Sequence, residues 1–170
     1  MKKKAIIVSI KGLKLTNKEK FLLSKEKPWG LILFRRNIKS LRQLKILIKN
    51  IRKSSRDKFF PILIDEEGNT VSRLKNIINH DISANYFGKL YFHNKKFTIK
   101  IYKEYINSLC KNLNKIGINI NTIPVLDVLR QNTSKVIGNR SFSNKKEIVK
   151  QLAKITVTQC HLNKIISVMK

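Results

Sequence analysis

Acidic side chains are scarce in this chain: ten Asp plus Glu stand against 37 Lys plus Arg among 170 residues, a formal net charge of +27. A surface so short of one sign cannot be covered by alternating ion pairs. Three of the ten carboxylates are nevertheless consecutive, Asp65-Glu66-Glu67, and ordinary surface solvation does not account for such a cluster. Long apolar runs are missing too. None approaches the roughly 18 residues that a membrane-spanning helix needs, so no membrane partner is expected. Residues 5–10 are largely apolar, but Lys11 ends the run and no small-residue cleavage site follows, so the segment reads as a first strand and not as a secretion signal. Cysteine is limited to Cys110 and Cys160, without metal-ligand or redox spacing, which excludes a disulfide scaffold and fits free thiols in a reducing, cytoplasmic compartment. His80, His93 and His161 are isolated. No Gly-rich phosphate turn follows the first strand, where Gly12 stands alone. Neither a metal nor a cofactor is expected.

The length suits one domain over residues 1–170, and 42% hydrophobic content agrees with a packed core. The excess of lysine would attract phosphate, yet no helix-turn-helix, RNA-recognition or zinc-finger pattern accompanies it. Lysine spread through the chain with isoleucine and asparagine is also what A/T-rich codons produce. Specific nucleic-acid recognition is therefore not expected, although a basic α/β protein that binds polyanions stays open as an alternative.

Periodicity alternates between short apolar runs and helical spacing. Thr16 with Glu19 forms a capping box for a helix to about Ser24, which Pro28-Trp29-Gly30 stops. Leu31 to Phe34 is a second strand, and Ser40 with Gln43 caps a helix carrying Leu44, Leu47, Ile48 and Ile51 on one face. Ile62-Leu63-Ile64 follows Pro61 as a buried strand that delivers the three carboxylates and then Gly68. Residues 65–95 read as a long loop, Phe97 to Ile116 as a helix ended by Gly117, and residues 118–128 as a fourth strand. After a polar loop over 129–143, Asn144 and Glu147 cap a helix to about Asn163, and residues 165–169 form a fifth strand.

Five strands alternating with four helices predict a parallel α/β sheet with right-handed crossovers. It would be either an incomplete (β/α)₈ TIM-barrel arrangement, since eight units take about 250 residues, or an open doubly wound sheet. In both, ligands gather beyond the carboxyl ends of the strands. Asp65 and Glu67 then present themselves as a carboxylate pair, either catalytic or ligand-holding, against the plainer reading of a solvated turn.

Five segments in order carry a family resemblance: residues 12–16, residues 29–38 (WGLILFRRNI), Asp65-Glu66-Glu67-Gly68 with Val71 and Arg73-Leu74, Pro124-Val125-Leu126-Asp127-Val128, and residues 136–143 (VIGNRSFS). Together they resemble the family 3 glycoside hydrolases, in particular the cytoplasmic β-N-acetylhexosaminidases of the NagZ type. The resemblance implies a TIM-barrel fold and retaining hydrolysis that releases N-acetylglucosamine from peptidoglycan fragments in cell-wall recycling. It further implies that Asp65 accepts hydrogen bonds from the sugar and that Arg73, Arg140 and Lys170 donate to it. Lys170 is similar to the lysine that opens the family's K-H-F-P-G-H-G motif. The family's acid/base histidine and aspartate nucleophile would both lie beyond it, so no catalytic residue is expected here. On that reading the chain is the N-terminal part of the barrel, cut in or after its fifth strand, and inactive alone or a decayed fragment. Glu66 departs from the family's glutamine. Asn139 replaces an aspartate, which would leave Arg140 without an ion-pair partner, and Asp127 is expected to anchor loops.

Overall fold

The computed structural model describes residues 3–79 and 81–170, so His80 lies outside the described residues. Five parallel strands form one sheet in the order β1 (Lys4–Val8), β2 (Pro28–Leu33), β3 (Ile62–Ile64), β4 (Ile120–Asn121) and β5 (Ile166–Ser167). Each strand pairs with its neighbour in sequence. A doubly wound sheet reverses its strand order at a switch point, and this sheet has none. The helices follow the same succession: α1 (Asn17–Lys25) packs on α2 (Leu41–Ser55), α2 on α4 (Lys95–Ile116), and α4 on α5 (Lys146–Leu162). Helices and strands thus advance together around the molecule, and every strand's carboxyl end comes to the same rim.

β3 occupies the middle of the sheet, with Leu31, Ile32 and Leu33 of β2 opposite Ile62, Leu63 and Ile64, and with Ile120 and Asn121 of β4 opposite Leu63 and Ile64. All three β3 residues are buried, as an apolar run flanked on both sides requires. Leu44, Leu47, Ile48 and Ile51 of α2 and Leu109, Cys110, Leu113 and Ile116 of α4 complete the core. At helix ends, Thr16 accepts from the Glu19 amide while Glu19 reaches back to the Thr16 amide. Ser40 accepts from the Gln43 amide, although the Gln43 side chain turns to Lys39 and not to Ser40. Gly117 closes α4 at φ 99°, a left-handed conformation that suits glycine.

Four expectations need correction. The stretch over 65–95 is not all loop: Ala84–His93 is a helix, α3, making five α-helices among the described residues in place of four. Its glycine hid it. A Cβ at Gly88 would stand 1.7 Å from the Phe142 carbonyl oxygen, so close packing against residues 141–143 imposes a poor helix former there. The Pro28-Trp29-Gly30 segment begins β2 instead of merely stopping α1. β4 is only two residues long, because beyond Asn121 the chain leaves the ladder with β3, and Pro124 and Leu126 pair with the Lys170 backbone instead. Finally, α5 starts after Lys145, with no side-chain cap from Asn144. Ser143 takes the Lys145 amide.

Candidate functional site

Beyond the carboxyl ends of β3, β4 and β5, five charged side chains meet. Asp65 leaves β3, and its Oδ1 accepts from Thr122 Oγ1 at 2.5 Å, just past β4, and from Lys170 Nζ at 3.3 Å, past β5. Its Oδ2 accepts from Arg73 Nη2 at 3.1 Å. Lys170 also donates to Thr122 Oγ1 at 2.8 Å and pairs with Glu67 Oε1 at 2.7 Å. Glu67 in turn takes two hydrogen bonds from Arg140, from Nε at 2.8 Å and Nη2 at 3.0 Å. All four residues singled out in the sequence, Asp65, Arg73, Arg140 and Lys170, therefore belong to one network.

Local structure explains why they converge. Lys170 donates its amide to the Pro124 carbonyl and accepts from the Leu126 amide, which holds the end of the β5 segment beside the β4 exit. Arg73 is positioned by Glu66, which is fully buried and is no wall of the site. Glu66 accepts from Ser72 Oγ at 2.6 Å and from the Arg73 and Leu74 amides at 2.8 and 2.9 Å. Asn121 completes this support from β4. Its side chain accepts from the Glu66 amide at 3.0 Å and donates to the Glu66 carbonyl at 2.9 Å.

Arg140 keeps an ion pair despite Asn139, because Glu67 supplies it from the neighbouring loop. The bidentate geometry is the strong form of this contact, and these hydrogen bonds with Glu67 hold the guanidinium above its ordinary value. Asp127 is exposed, and its backbone carbonyl, not its carboxylate, ties the loops by accepting from Ser141 Oγ. Arg36 and Asn37, past β2, are structural. Arg36 donates to Ile10 O and Ser9 Oγ, and the buried Asn37 amide to Ile10 O and Gly12 O.

Asp65 and Glu67 differ in what surrounds them. Burial, the largest single influence, pushes the Asp65 carboxyl upward, but hydrogen bonds from Thr122 and Arg73 and the charge of Lys170 outweigh it and hold the group below the ordinary carboxylate range. Asp65 is thus an ionised acceptor at neutral pH and no proton donor. Glu67, with a side chain only 5% exposed, is clamped between Arg140 and Lys170. The arrangement offers acceptors and donors in alternation to a polar ligand. Among the described residues no group of three or more His, Cys, Asp or Glu is placed to hold a metal ion, and no helix is long and apolar enough to cross a membrane. Sequence reasoning missed Thr122 and Asn121, although their position at a strand's carboxyl end was the same signal that singled out Asp65.

Comparison with known proteins agrees along the whole chain. The family model described as glycosyl hydrolase family 3 N terminal domain matches residues 2–170. A beta-hexosaminidase of Neisseria gonorrhoeae is 34% identical over 149 residues, covering 87% of this chain and 41% of that protein. One from Thioalkalivibrio sulfidiphilus is 31% identical over 148 residues, covering 87% and 42%. The chain therefore spans about two-fifths of the length of these curated relatives. The crystal structure of NagZ from N. gonorrhoeae in complex with N-trifluoroacetyl-D-glucosamine superposes with a TM-score of 0.88 at 28% identity, over 99% of this chain and 49% of that one. With the family model, the strand order and these relatives in agreement, the chain belongs to glycoside hydrolase family 3, as its N-terminal domain.

Proposed function

We propose that this chain builds the sugar-binding N-terminal part of a retaining β-N-acetylhexosaminidase that removes N-acetylglucosamine from peptidoglycan fragments in the cytoplasm. The observation that carries this reading is the single network joining Asp65, Thr122 and Lys170 across the ends of β3, β4 and β5, with Arg73 and Arg140 at its sides. A pyranose presents several hydroxyls, each both donor and acceptor. Asp65, ionised, accepts from ring hydroxyls, while Arg73, Lys170 and Arg140 donate to ring and N-acetyl oxygens. Glu67 keeps Arg140 and Lys170 in place for that task.

The reading is supported by the amino-sugar derivative bound to the gonococcal relative. In the complete enzyme these five strands would be the first of a closed eightfold barrel. Retaining hydrolysis needs a nucleophile and an acid/base on opposite sides of the scissile bond, and no residue of this chain is assigned to either role. Asp65 is held ionised and cannot protonate a leaving group. Glu67 is engaged on both oxygens.

The test is direct. The purified 170-residue protein should bind N-acetylglucosamine weakly by NMR titration, lose that binding in Asp65→Ala and Lys170→Ala, and fail to hydrolyse 4-nitrophenyl N-acetyl-β-D-glucosaminide. Measurable turnover would refute the assignment of catalysis to other residues. Binding that survives both substitutions would refute the sugar site.

A further inference from the structure

The rim opposite Asp65 carries a second concentration of charge. There α2 and α4 end and lead into β3 and β4, and a concavity of about 530 Å³ lies between the two helix ends. Lys45, Lys49, Lys53 and Arg56 line it from α2 and its C-cap, with Lys58 and Lys115 beyond them. The spacing of Lys45, Lys49 and Lys53, four residues apart, keeps them along one helix face, and Arg56 follows at the left-handed C-cap. A second concavity of about 440 Å³, between α1 and α2, shares Lys53 and Arg56 with the first and adds Lys20 and Phe21. The two concavities adjoin at Lys53 and Arg56 and are together termed the trough. Its carboxylate, Asp57, is engaged by Lys3 at 2.7 Å, and Arg52 anchors the floor by donating from Nη2 to the Gly117 carbonyl at 2.7 Å.

Two aromatic rings accompany this row of cations. Phe21 is 60% exposed and Phe59 is 73% exposed, and the ammonium of Lys58, which lines the trough, lies 5.0 Å from the Phe59 ring centre. The cations line both concavities, and two phenylalanines are turned to solvent beside them. A cationic groove that tracks phosphates, with aromatic rings on which bases stack, is the physical design of sequence-indifferent single-strand binding. An acidic protein would need no stacking rings, and an anionic lipid surface, which also takes lysine with phenylalanine, is flat and does not follow a concave trough.

We propose that this trough binds single-stranded nucleic acid without regard to sequence, with phosphates along the α2 cations and bases stacked on Phe21 and Phe59. The test is fluorescence anisotropy with a labelled mixed-sequence 20-nucleotide RNA. Lys53→Glu with Lys58→Glu is compared with Lys103→Glu with Lys154→Glu, exposed lysines of α4 and α5 that carry the same change in net charge. The trough variant should weaken binding by about tenfold or more and make the log–log salt slope shallower by roughly 1.4, at about 0.7 per lost phosphate contact. The control should lose less than about twofold. Phe21→Ala and Phe59→Ala should each weaken RNA binding by about tenfold, as loss of one stacked base does, while leaving heparin binding unchanged. Equal losses in the two charge variants would overturn the proposal. So would RNA binding untouched by both phenylalanine substitutions, or tighter binding to heparin or to phosphatidylserine vesicles than to RNA.

Discussion

Asp65 and Glu67 stand two residues apart and serve different ends because their neighbours differ. Asp65 is held ionised by Thr122, Arg73 and Lys170, so its folded-state value lies below that of an unfolded aspartate, about 3.9. Such a group contributes stability that is complete above the unfolded value and is lost as pH falls through the folded one. Asp65→Asn should accordingly lower stability at pH 7 by about 1–3 kcal/mol, the cost of leaving part-buried charged partners unmatched. The gap between variant and parent should narrow only below pH of about 4, as urea titrations at stepped pH would show. A gap that widened on acidification would contradict the ionised assignment. At this scale, Asp65, Arg73, Arg140 and Lys170 could be read from motif and strand-end position. Thr122, Asn121 and the supporting part of Glu66 could not, since each acts through a contact more than five residues away in sequence, and those of Thr122 and Asn121 cross between the β3 and β4 segments.

Among the elements, α3 carries the plainest lesson about propensity. Gly88 argues against a helix when taken alone, yet the helix forms because Phe87 is buried among Tyr102 and Tyr105 and because the backbone at Phe142 lies against Gly88. Gly88→Ala improves local propensity and creates a clash of 1.7 Å with a carbonyl oxygen. The clash should win. We expect a loss of about 3 kcal/mol, at the upper end of overpacking costs, seen as a lowered urea midpoint. Because α3 packs on the loop that presents Arg140, weaker sugar binding should accompany it. Elsewhere the elements were legible: capping at Thr16, the apolar stripe of α2 and the Gly117 exit are local signals that folding did not override.

For the molecule as a whole, protection should be graded across the sheet. β3 is buried and paired on both sides, whereas β1 and β5 are edges bearing exposed Ile6, Ile7 and Ile166. Backbone opening is cheapest where few buried contacts resist it. Amide hydrogen exchange should therefore be at least about tenfold slower at Ile62–Ile64 than at Lys4–Val8 or Ile166–Ser167, and uniformly fast, unprotected exchange across the five strands would show that no cooperative core forms. The two rims separate the two charged regions, a mixed network at the strands' carboxyl ends and a lysine-rich trough at their amino ends. Chain-local chemistry alone specified the alternation of strand and helix, the buried strand ahead of Asp65 and the family motifs, because hydrophobic period, caps and short motifs are properties of near neighbours in sequence. The strand order without reversal, the helix around Gly88, the pairing of Glu67 with both Arg140 and Lys170, and the gathering of scattered lysines into one trough were decided only by tertiary packing. Each depends on which distant segments come within contact distance, and no spacing along the chain encodes that.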